Sequence, residues 1–420
     1  MRATNKMILD SKKRTQILRG IKKLVLAHHI NVARIDYAAW TEHVDQRTAE
    51  LLTSDVASFE EGVRQLLTEL KTSHTVFYHS LPTELLPQHT INASLRDVSR
   101  DGHHTWMFLD VFDDGPAHLA GIKPGDILDA VDGTLCVPPI TPHFAIGHTH
   151  TLRVTKPVTG SAKEIVIEVP KRKGTKQRPP IVEPKSLIHS IIGQDIGLLK
   201  IAHFPGAAGM RFGKALDQAV ADLKQQKCER LIVDLRGNIG GSLGFAHLAS
   251  YMCPGQLAIG HSLTPKRLRE GYDPDTLPRV PMPASRAELL ATLARSLFRD
   301  KSVMLLTQGL GEQPFHNRVV VLVNEWTNSA AEMVANFAAE NRLATVVGEK
   351  TRGNVLGAMN FNVGGGYWLR LPVSGWFTSK GRSLEGNGVV PDVLVKISPD
   401  ALAHGQDNQM TAAVDVAKRL

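Results

Sequence analysis

The chain has 420 residues, which is too long for one hydrophobic core and predicts two to four domains. Apolar residues make up 42% and charged residues 21% of the chain, close to the averages for soluble globular proteins, so intrinsic disorder is not the default expectation. The formal net charge of +8 does not indicate a nucleic-acid partner, because the dense basic run at residues 171–178 lacks interleaved aromatic side chains.

Neither a membrane span nor an export signal is visible in the sequence. The longest purely aliphatic run, residues 319–323, is far short of the roughly 20 apolar residues that cross a bilayer. The first residues contain no apolar stretch of signal-peptide length, so we expect a cytoplasmic protein if Met1 is the true start. Export stays open if the start is assigned wrongly.

Neither a cofactor nor a metal is expected. Three cysteines at wide spacing, without a CxxC pair, favour reduced thiols over disulfides or a zinc site: Cys136, Cys228 and Cys253. Three histidines form a loose group without a carboxylate partner at metal-binding spacing: His143, His148 and His150.

The first predicted unit, residues 1–91, is an N-terminal helical domain. Apolar residues recur at helical intervals from residue 12 to about residue 69. The chain then turns at KTSHTVFY, so His74 lies just past a helix end, where the backbone can present its side chain.

The second predicted unit, residues 92–173, is a small β-rich domain. Short apolar stretches (WMFLDVF, DILDAVDG, TLRVTKP and EIVIEVP) alternate there with Gly and Pro. The basic and Pro-rich stretch that follows, residues 174–185, predicts a linker.

The third predicted unit, residues 186–420, alternates strand and helix patterns. The stretches IGLLKIAHF, RLIVDLRG, VVVLVNEW and ATVVGE read as strands with helical patterns between them. This predicts an α/β core with a largely parallel sheet, whose apolar strands are covered on both faces. Residues 273–311 interrupt the alternation, and we expect an insertion there with one amphipathic helix at residues 287–298.

Ser329 is the candidate nucleophile. It follows an apolar strand and a polar turn and opens a helix, so its hydroxyl and the next backbone N–H groups lie at a helix N-terminus. Ligands bind beyond the carboxyl ends of strands in open α/β sheets, and free amides there stabilise an oxyanion. Taken alone, the pattern also fits a plain helix cap, which is the commoner use of Ser at this position.

A glycine-rich turn, DLRGNIGGS at residues 234–242, follows a second apolar strand. Glycines there let the backbone approach a ligand and expose N–H groups. The turn lacks the phosphate-binding Lys of a P-loop, so nucleotide binding is not expected. A tight strand-to-helix connection is the alternative interpretation.

Together, DLRGNIGG and VLVNEWTNSAAEM with its GEKTRG tail resemble the core signature of the C-terminal processing (tail-specific) serine peptidases. The resemblance implies a multidomain α/β protein with a peptidase core of the ββα-spiral, crotonase-like type. It implies Ser329 as the nucleophile and an oxyanion hole formed by the N–H groups of Ala330 and of Gly240 or its neighbour Gly241.

The stretch GPAHLAGIKPGDILDAVDG at residues 115–133 resembles a PDZ domain of the same family. The resemblance implies that residues 92–173 capture a protein or peptide substrate by strand addition, near its free C-terminus. A homo-oligomer stays open at this stage.

The general base departs from the dyad pattern of the family. The position of the dyad Lys is Asn354 here, and Lys350 lies four residues earlier. The tricorn-like branch uses Ser, His and Glu instead. Its HT turn after the N-terminal helices matches His74, and its E-x-x-G-V-x-P-D stretch matches LEGNGVVPDV, which indicates Glu385.

Two other functions stay open on the sequence. The missing dyad Lys favours a non-catalytic protein that retains the peptidase fold and binds a peptide or an apolar ligand. A hydrolase of small esters or amides is the third hypothesis.

Overall fold

The computed structural model describes residues 9–79, 82–100, 102–174, 180–206, 209–283, 288 and 301–420. Residues 287 and 289–298 of the predicted helix and residues 175–179 of the predicted linker lie outside these ranges. No helix in the described ranges is both long and apolar enough to cross a membrane.

The helices of the described chain are, in order, α1 (Ser11–His28), α2 (Tyr37–Thr53), α3 (Val56–Thr68), α4 (Pro87–Thr90), α5 (Pro116–Leu119), α6 (Met210–Gln225), α7 (Gly244–Ser250), α8 (Pro265–Glu270), α9 (Ala330–Glu340), α10 (Pro399–Ala403) and α11 (Asn408–Arg419). A 3-10 turn covers Pro274–Thr276.

The strands are, in order, β1 (Val76–His79), β2 (Glu84–Leu85), β3 (Ala93–Arg100), β4 (His103–Val111), β5 (Ile127–Val131), β6 (Thr134–Leu135), β7 (Phe144–Ala145), β8 (Thr149–Lys156), β9 (Ser161–Glu168), β10 (Leu187–Ile192), β11 (Ile196–Ile201), β12 (Arg230–Asp234), β13 (Ala258–Leu263), β14 (Arg279–Pro281), β15 (Val303–Leu306), β16 (Val319–Val323), β17 (Thr345–Gly348), β18 (Gly357–Gly364), β19 (Tyr367–Thr378) and β20 (Val393–Leu394).

Helices α1 to α3 cover one face of a sheet with the order β1-β19-β13-β15-β14, in which β18 also pairs with β19. Aspartates cap all three helices and accept backbone N–H groups of the first turn. Their apolar faces pack on Phe77, Tyr367, Leu369 and Leu371 of β1 and β19. The predicted boundary at residue 91 therefore separates the helices from strands near the C-terminus that complete their core.

Residues 92–173, here called the β module, form a sheet with the order β3-β4-β5-β8-β9, with β6 pairing to β5. A separate apolar core, which includes Phe108, Phe144 and Leu152, lies within the module. Strand β3 pairs with β4 on one side, so it lies at the edge of this sheet.

The central sheet has the order β10-β11-β12-β16-β17-β20. All neighbours from β11 to β20 are parallel, and only β10 pairs antiparallel, in agreement with the predicted largely parallel sheet. Helices α6, α7 and α9 cover one face and α11 covers the other, which explains why β16 is fully buried. Because β12 and β16 are parallel neighbours, the loops after their carboxyl ends meet at one edge of the sheet.

Candidate active site

Ser329 lies in a strained turn between β16 and α9. Its backbone angles are φ 55° and ψ −117°, a combination that costs a non-glycine residue roughly 1–3 kcal/mol. The Ser329 N–H donates to Glu332 Oε2 at 2.9 Å, which secures the turn to the first turn of the helix. Ser329 thus stands at the N-terminus of α9, where the sequence places it, and in a conformation that plain helix capping does not require.

The turn that carries Ser329 is tied to the glycine-rich loop after β12. Asn324 Oδ1 accepts the N–H of Gly237 at 2.9 Å, and Asn328 N–H donates to Asn238 O at 2.8 Å. Thr327 Oγ1 donates to the main-chain oxygen of the same loop at residue 235. These bonds hold the two loops in one fixed arrangement.

Gly240 lies directly against Ser329. A Cβ on Gly240 would lie 2.7 Å from Ser329 Cβ, and its φ of 84° also favours glycine. The Gly240 N–H donates to Asn238 Oδ1 at 2.8 Å. The N–H groups of Gly241 and Ala330, by contrast, make no hydrogen bond within the described chain, which leaves them available to a ligand oxygen.

His74 sits in the turn between α3 and β1, with a φ of 62°. Its Nδ1 lies 2.7 Å from Ser73 Oγ, which in turn donates to Glu385 Oε2 at 3.1 Å. The Ser73 N–H donates to Glu385 Oε1 at 2.6 Å, and the Val355 N–H donates to Glu385 Oε2 at 3.0 Å. The structure therefore brings His74 and Glu385 together through Ser73 and not through direct contact.

The hydrogen-bond pattern indicates the tautomer of His74. The Ser73 hydroxyl donates its hydrogen bond to the Glu385 carboxylate, so its oxygen accepts a hydrogen bond from His74 Nδ1–H. The lone pair of the imidazole is then on Nε2. Burial lowers the pKa of His74 to about 4, and the positive charge of Arg370 acts in the same direction. The ring is neutral at pH 7, as a general base must be.

Helices α1 to α3 and the sheet strands that they cover are here called the N-terminal layer. Side chains of this layer hydrogen-bond the turn that carries His74. His29 Nε2 lies 2.9 Å from Thr72 Oγ1, which lies 3.0 Å from Thr75 Oγ1. The other His29 nitrogen, Nδ1, lies 2.7 Å from Tyr37 Oη. Burial lowers the pKa of His29 to about 4, so this support is uncharged at neutral pH.

The position of the dyad Lys is filled by the amide of Asn354. Its Nδ2 donates to Asn328 Oδ1 at 3.3 Å, and its backbone N–H donates to Glu332 Oε2 at 3.0 Å. Lys350 is exposed on the surface. The amide of Asn354 therefore provides no base for a Ser-Lys dyad.

The β module contacts the loop that carries Ser329. The half-buried Asp110 accepts from Asn324 Nδ2 at 3.1 Å, and desolvation of the carboxylate raises its pKa. Arg96 of β3 forms ion pairs with Glu325 at 2.9 Å and with Glu349 at 2.8 Å. A cavity of about 400 Å³ lies between these parts, and its walls include Leu95, Arg96, Trp106, Trp326 and Arg352.

Two residues of the site were missed by sequence reasoning. Ser73 is adjacent to His74 in the sequence, but its role depends on Glu385, which is 312 residues away. Glu332 falls inside the quoted motif, and only the folded chain shows that its carboxylate is fully buried and holds Ser329. In the ranges that the structure describes, no group of three His, Cys, Asp or Glu side chains could hold a metal ion.

The chain is similar in sequence to several bacterial proteases. A carboxyl-terminal-processing protease of Synechocystis is 27% identical over 308 residues, which are 72% of this chain and 62% of that protein. A Bartonella bacilliformis carboxy-terminal-processing protease is 25% identical over 284 residues, 68% and 57% of the two chains. A Streptomyces coelicolor protein named as a tricorn protease homologue is 25% identical over 385 residues, 86% of this chain and 28% of that one. The chain thus spans less than two thirds of the length of these relatives.

The fold is also that of a solved structure in the same group. The photosystem II D1 C-terminal processing protease matches with a TM-score of 0.57 at 15% identity, over 93% of this chain and 96% of that one. The model of peptidase family S41 matches residues 195–395. Over residues 195–395 the chain is therefore similar to peptidase family S41.

Proposed function

We propose that the chain is a serine endopeptidase that cleaves protein or peptide substrates through an acyl-enzyme on Ser329, with His74 as the base and Glu385 as the third member. The observation that carries the proposal is the hydrogen-bonded array of His74, Ser73 and Glu385, which leaves Nε2 as a free base in a site without the dyad Lys. The match of residues 195–395 to the model of peptidase family S41 and the names of the relatives support the same reaction class.

The proposed reaction has two steps. His74 Nε2 takes the Ser329 hydroxyl proton as Oγ bonds to the scissile carbonyl carbon, and the N–H groups of Ala330 and Gly241 stabilise the oxyanion. His74 then gives that proton to the leaving amine as the C–N bond breaks. Water, activated by the same imidazole, hydrolyses the ester and returns the proton to Ser329. Through Ser73, the Glu385 carboxylate favours the imidazolium that forms in each step.

The contact between the base His74 and the nucleophile Ser329 also bears on the proposal. Within the described residues, the His74 ring and Ser329 are not hydrogen-bonded to each other. Catalytic hydrogen bonds are often long in free enzymes and tighten when substrate binds. Hydrogen bonds through Val355, Asn354 and Glu332 link the two sides of the site, so both belong to one connected structure.

For substrate recognition, we propose that the β module acts as a PDZ-like domain that binds an extended peptide along the edge strand β3. Three observations support this: β3 is the edge strand of its sheet, a cavity lies beside it, and Arg96 and Asp110 contact the loop before Ser329. Strand addition would supply main-chain hydrogen bonds, and the cavity would accept a side chain or terminus. Relatives named for carboxyl-terminal processing favour substrate C-termini as the ligand.

A fluorophosphonate probe tests the catalytic proposal. Wild-type protein is expected to be labelled, whereas Ser329→Ala is not and His74→Ala is labelled at least about 10³-fold more slowly. Folded wild-type protein that resists labelling would instead support a non-catalytic binder, which the missing dyad Lys favours.

Peptides test the recognition proposal. A matched pair with a free or an amidated C-terminus should differ in KM for the whole chain. This difference should disappear when residues 92–173 are replaced by a short linker, provided that probe labelling shows an intact site. Equal KM values for the pair in the wild type would exclude recognition of the C-terminus.

A further inference from the structure

Glu332 is a fully buried carboxylate that accepts four hydrogen bonds. The donors are the Ser329 N–H at 2.9 Å, Thr351 Oγ1 at 2.5 Å, the Gly353 N–H at 2.7 Å and the Asn354 N–H at 3.0 Å. Burial raises its pKa, and the hydrogen bonds act in the opposite direction. Capping of α9 accounts for one of the four bonds. The other three bind a segment that follows β17.

The same segment, residues 351–355, also reaches the His74 side of the site. Its last residue, Val355, donates its N–H to Glu385 Oε2 at 3.0 Å, and Gly353 O accepts the N–H of Gly386 at 2.9 Å. Thr351 and Val389 exchange two further bonds, of 2.8 and 3.1 Å. The segment is therefore held between two carboxylates, one bonded to Ser329 and the other to Ser73.

We propose that Glu332 is a positioning residue, which through residues 351–355 sets Ser329 at the correct distance from the His74, Ser73 and Glu385 array. The proposal rests on the peptidase function proposed above. Glu332 bonds the backbone N–H of Ser329 and not its hydroxyl, so its effect passes through the backbone of Ser329 and through the segment.

The hydrogen-bonding capacity of a carboxylate explains why Glu occupies position 332. Four donors converge on it, and an ionised carboxylate offers acceptor sites on both oxygens and no competing donor. In Glu332→Gln, one oxygen becomes an NH₂ group that faces N–H donors. The Ser329 and Asn354 N–H groups bond one oxygen, and the Thr351 hydroxyl and the Gly353 N–H bond the other, so either orientation of the amide displaces two donors.

A purely structural role predicts a different result. If Glu332 only caps α9, Glu332→Gln lowers the free energy of unfolding, but molecules that stay folded react as fast as wild type. If it positions Ser329, folded molecules lose about 10²-fold in labelling rate and in kcat with little change in KM, because a shift of about 1 Å between reacting groups has that effect.

The experiment measures fluorophosphonate labelling rates, kcat and KM per folded molecule for wild type, Glu332→Gln, Thr351→Val and Glu60→Gln. Thr351→Val removes one of the four donors and should slow labelling several-fold. Glu60→Gln is the matched control, because it removes a partly buried carboxylate that accepts from Tyr367 Oη at 2.9 Å in the N-terminal layer. It should react as wild type.

The outcomes separate the two proposals. A folded wild type that is not labelled overturns the peptidase function and this inference with it. A labelled wild type with slow Glu332→Gln and Thr351→Val supports the inference. If wild type and both variants are labelled at equal rates, Glu332 is a structural cap only and the peptidase function stands. Should Glu332→Gln fail to fold, a wild-type rate for Thr351→Val overturns the inference as well.

Discussion

Replacing Ser73 by Ala tests the hydroxyl that connects His74 to Glu385. The change removes two hydrogen bonds, of 2.7 Å to His74 Nδ1 and of 3.1 Å to Glu385 Oε2, while leaving the backbone N–H bond to Glu385 in place. Glu385 also keeps the N–H of Val355. The carboxylate should therefore stay in position while the imidazole loses its orienting partner.

The magnitude follows from the bond that matters in the transition state. A hydrogen bond with a charged partner contributes about 1.5–3 kcal/mol, and the bond to Nδ1 becomes one when His74 takes the Ser329 proton. At about 1.4 kcal/mol per tenfold, a loss of about 1.5–3 kcal/mol lowers kcat roughly 10- to 150-fold. A water molecule in place of the hydroxyl would set the lower end of that range. His74→Ala should lose more, on the order of 10³-fold.

The assay is hydrolysis of an unfolded protein substrate together with probe labelling, each normalised to folded protein. Ser73→Thr keeps a hydroxyl and should recover most of the activity. Ser54→Ala removes a hydroxyl that donates to Leu51 O in the N-terminal layer and serves as the control. If Ser73→Ala keeps the wild-type kcat while His74→Ala loses activity, His74 does not act through Ser73 and Glu385.

Three further predictions concern the base, its titration and the oxyanion loop. Burial and the charge of Arg370 lower the pKa of His74 to about 4, so activity should rise with pH to a plateau, with the midpoint of the rise below the usual 6.5 of His. Arg370→Gln should raise that midpoint. A wild-type midpoint at or above 6.5 contradicts the prediction. Lys350→Ala should keep activity, and Asn354→Lys should not rescue His74→Ala; the reverse pair of results would indicate a displaced Ser-Lys dyad. Gly240→Ala should abolish labelling, since its Cβ would lie 2.7 Å from Ser329 Cβ, whereas Gly255→Ala, with open space around its Cβ, should label normally.

The pH experiment needs a check of folding, because acid also destabilises the protein. Four histidines have pKa values lowered to about 4 by burial: His29, His74, His89 and His261. Each binds a proton more readily in the unfolded chain, so the stability it contributes is complete above about pH 6.5 and is lost as the pH falls toward 4. Circular dichroism at each pH separates this loss from titration of the active site.

The central sheet could be predicted from the sequence because its signals are local. Strand β16 is a continuous apolar run, and the polar turn and helix that follow place Ser329 within a few residues. The glycine-rich loop after β12 was visible for the same reason. In such a sheet the carboxyl ends of neighbouring parallel strands meet, so the local pattern was enough to bring Gly240 near Ser329.

The N-terminal layer could not be predicted as it stands, because its partners are distant in sequence. Helices α1 to α3 have the periodicity of a helical domain, but their core is completed by Leu369 and Leu371 of β19. Strand β19 pairs with β1 and with β13, and nothing in its own sequence indicates either pairing. Sequence patterns describe one element at a time, and these pairings join elements from opposite ends of the chain.

The same long-range pairing decides when the proposed array can form. His74 leads directly into β1, which pairs with β19, and Glu385 follows β19 along the chain. The bond between Ser73 and Glu385 joins residues that are 312 positions apart, beside the pairing of β1 with β19. Contacts of such separation form late in folding, because the entropy of loop closure precedes their stabilising effect. In the mechanism proposed above, a chain in which this contact has not formed would carry Ser329 at its helix end without an oriented base.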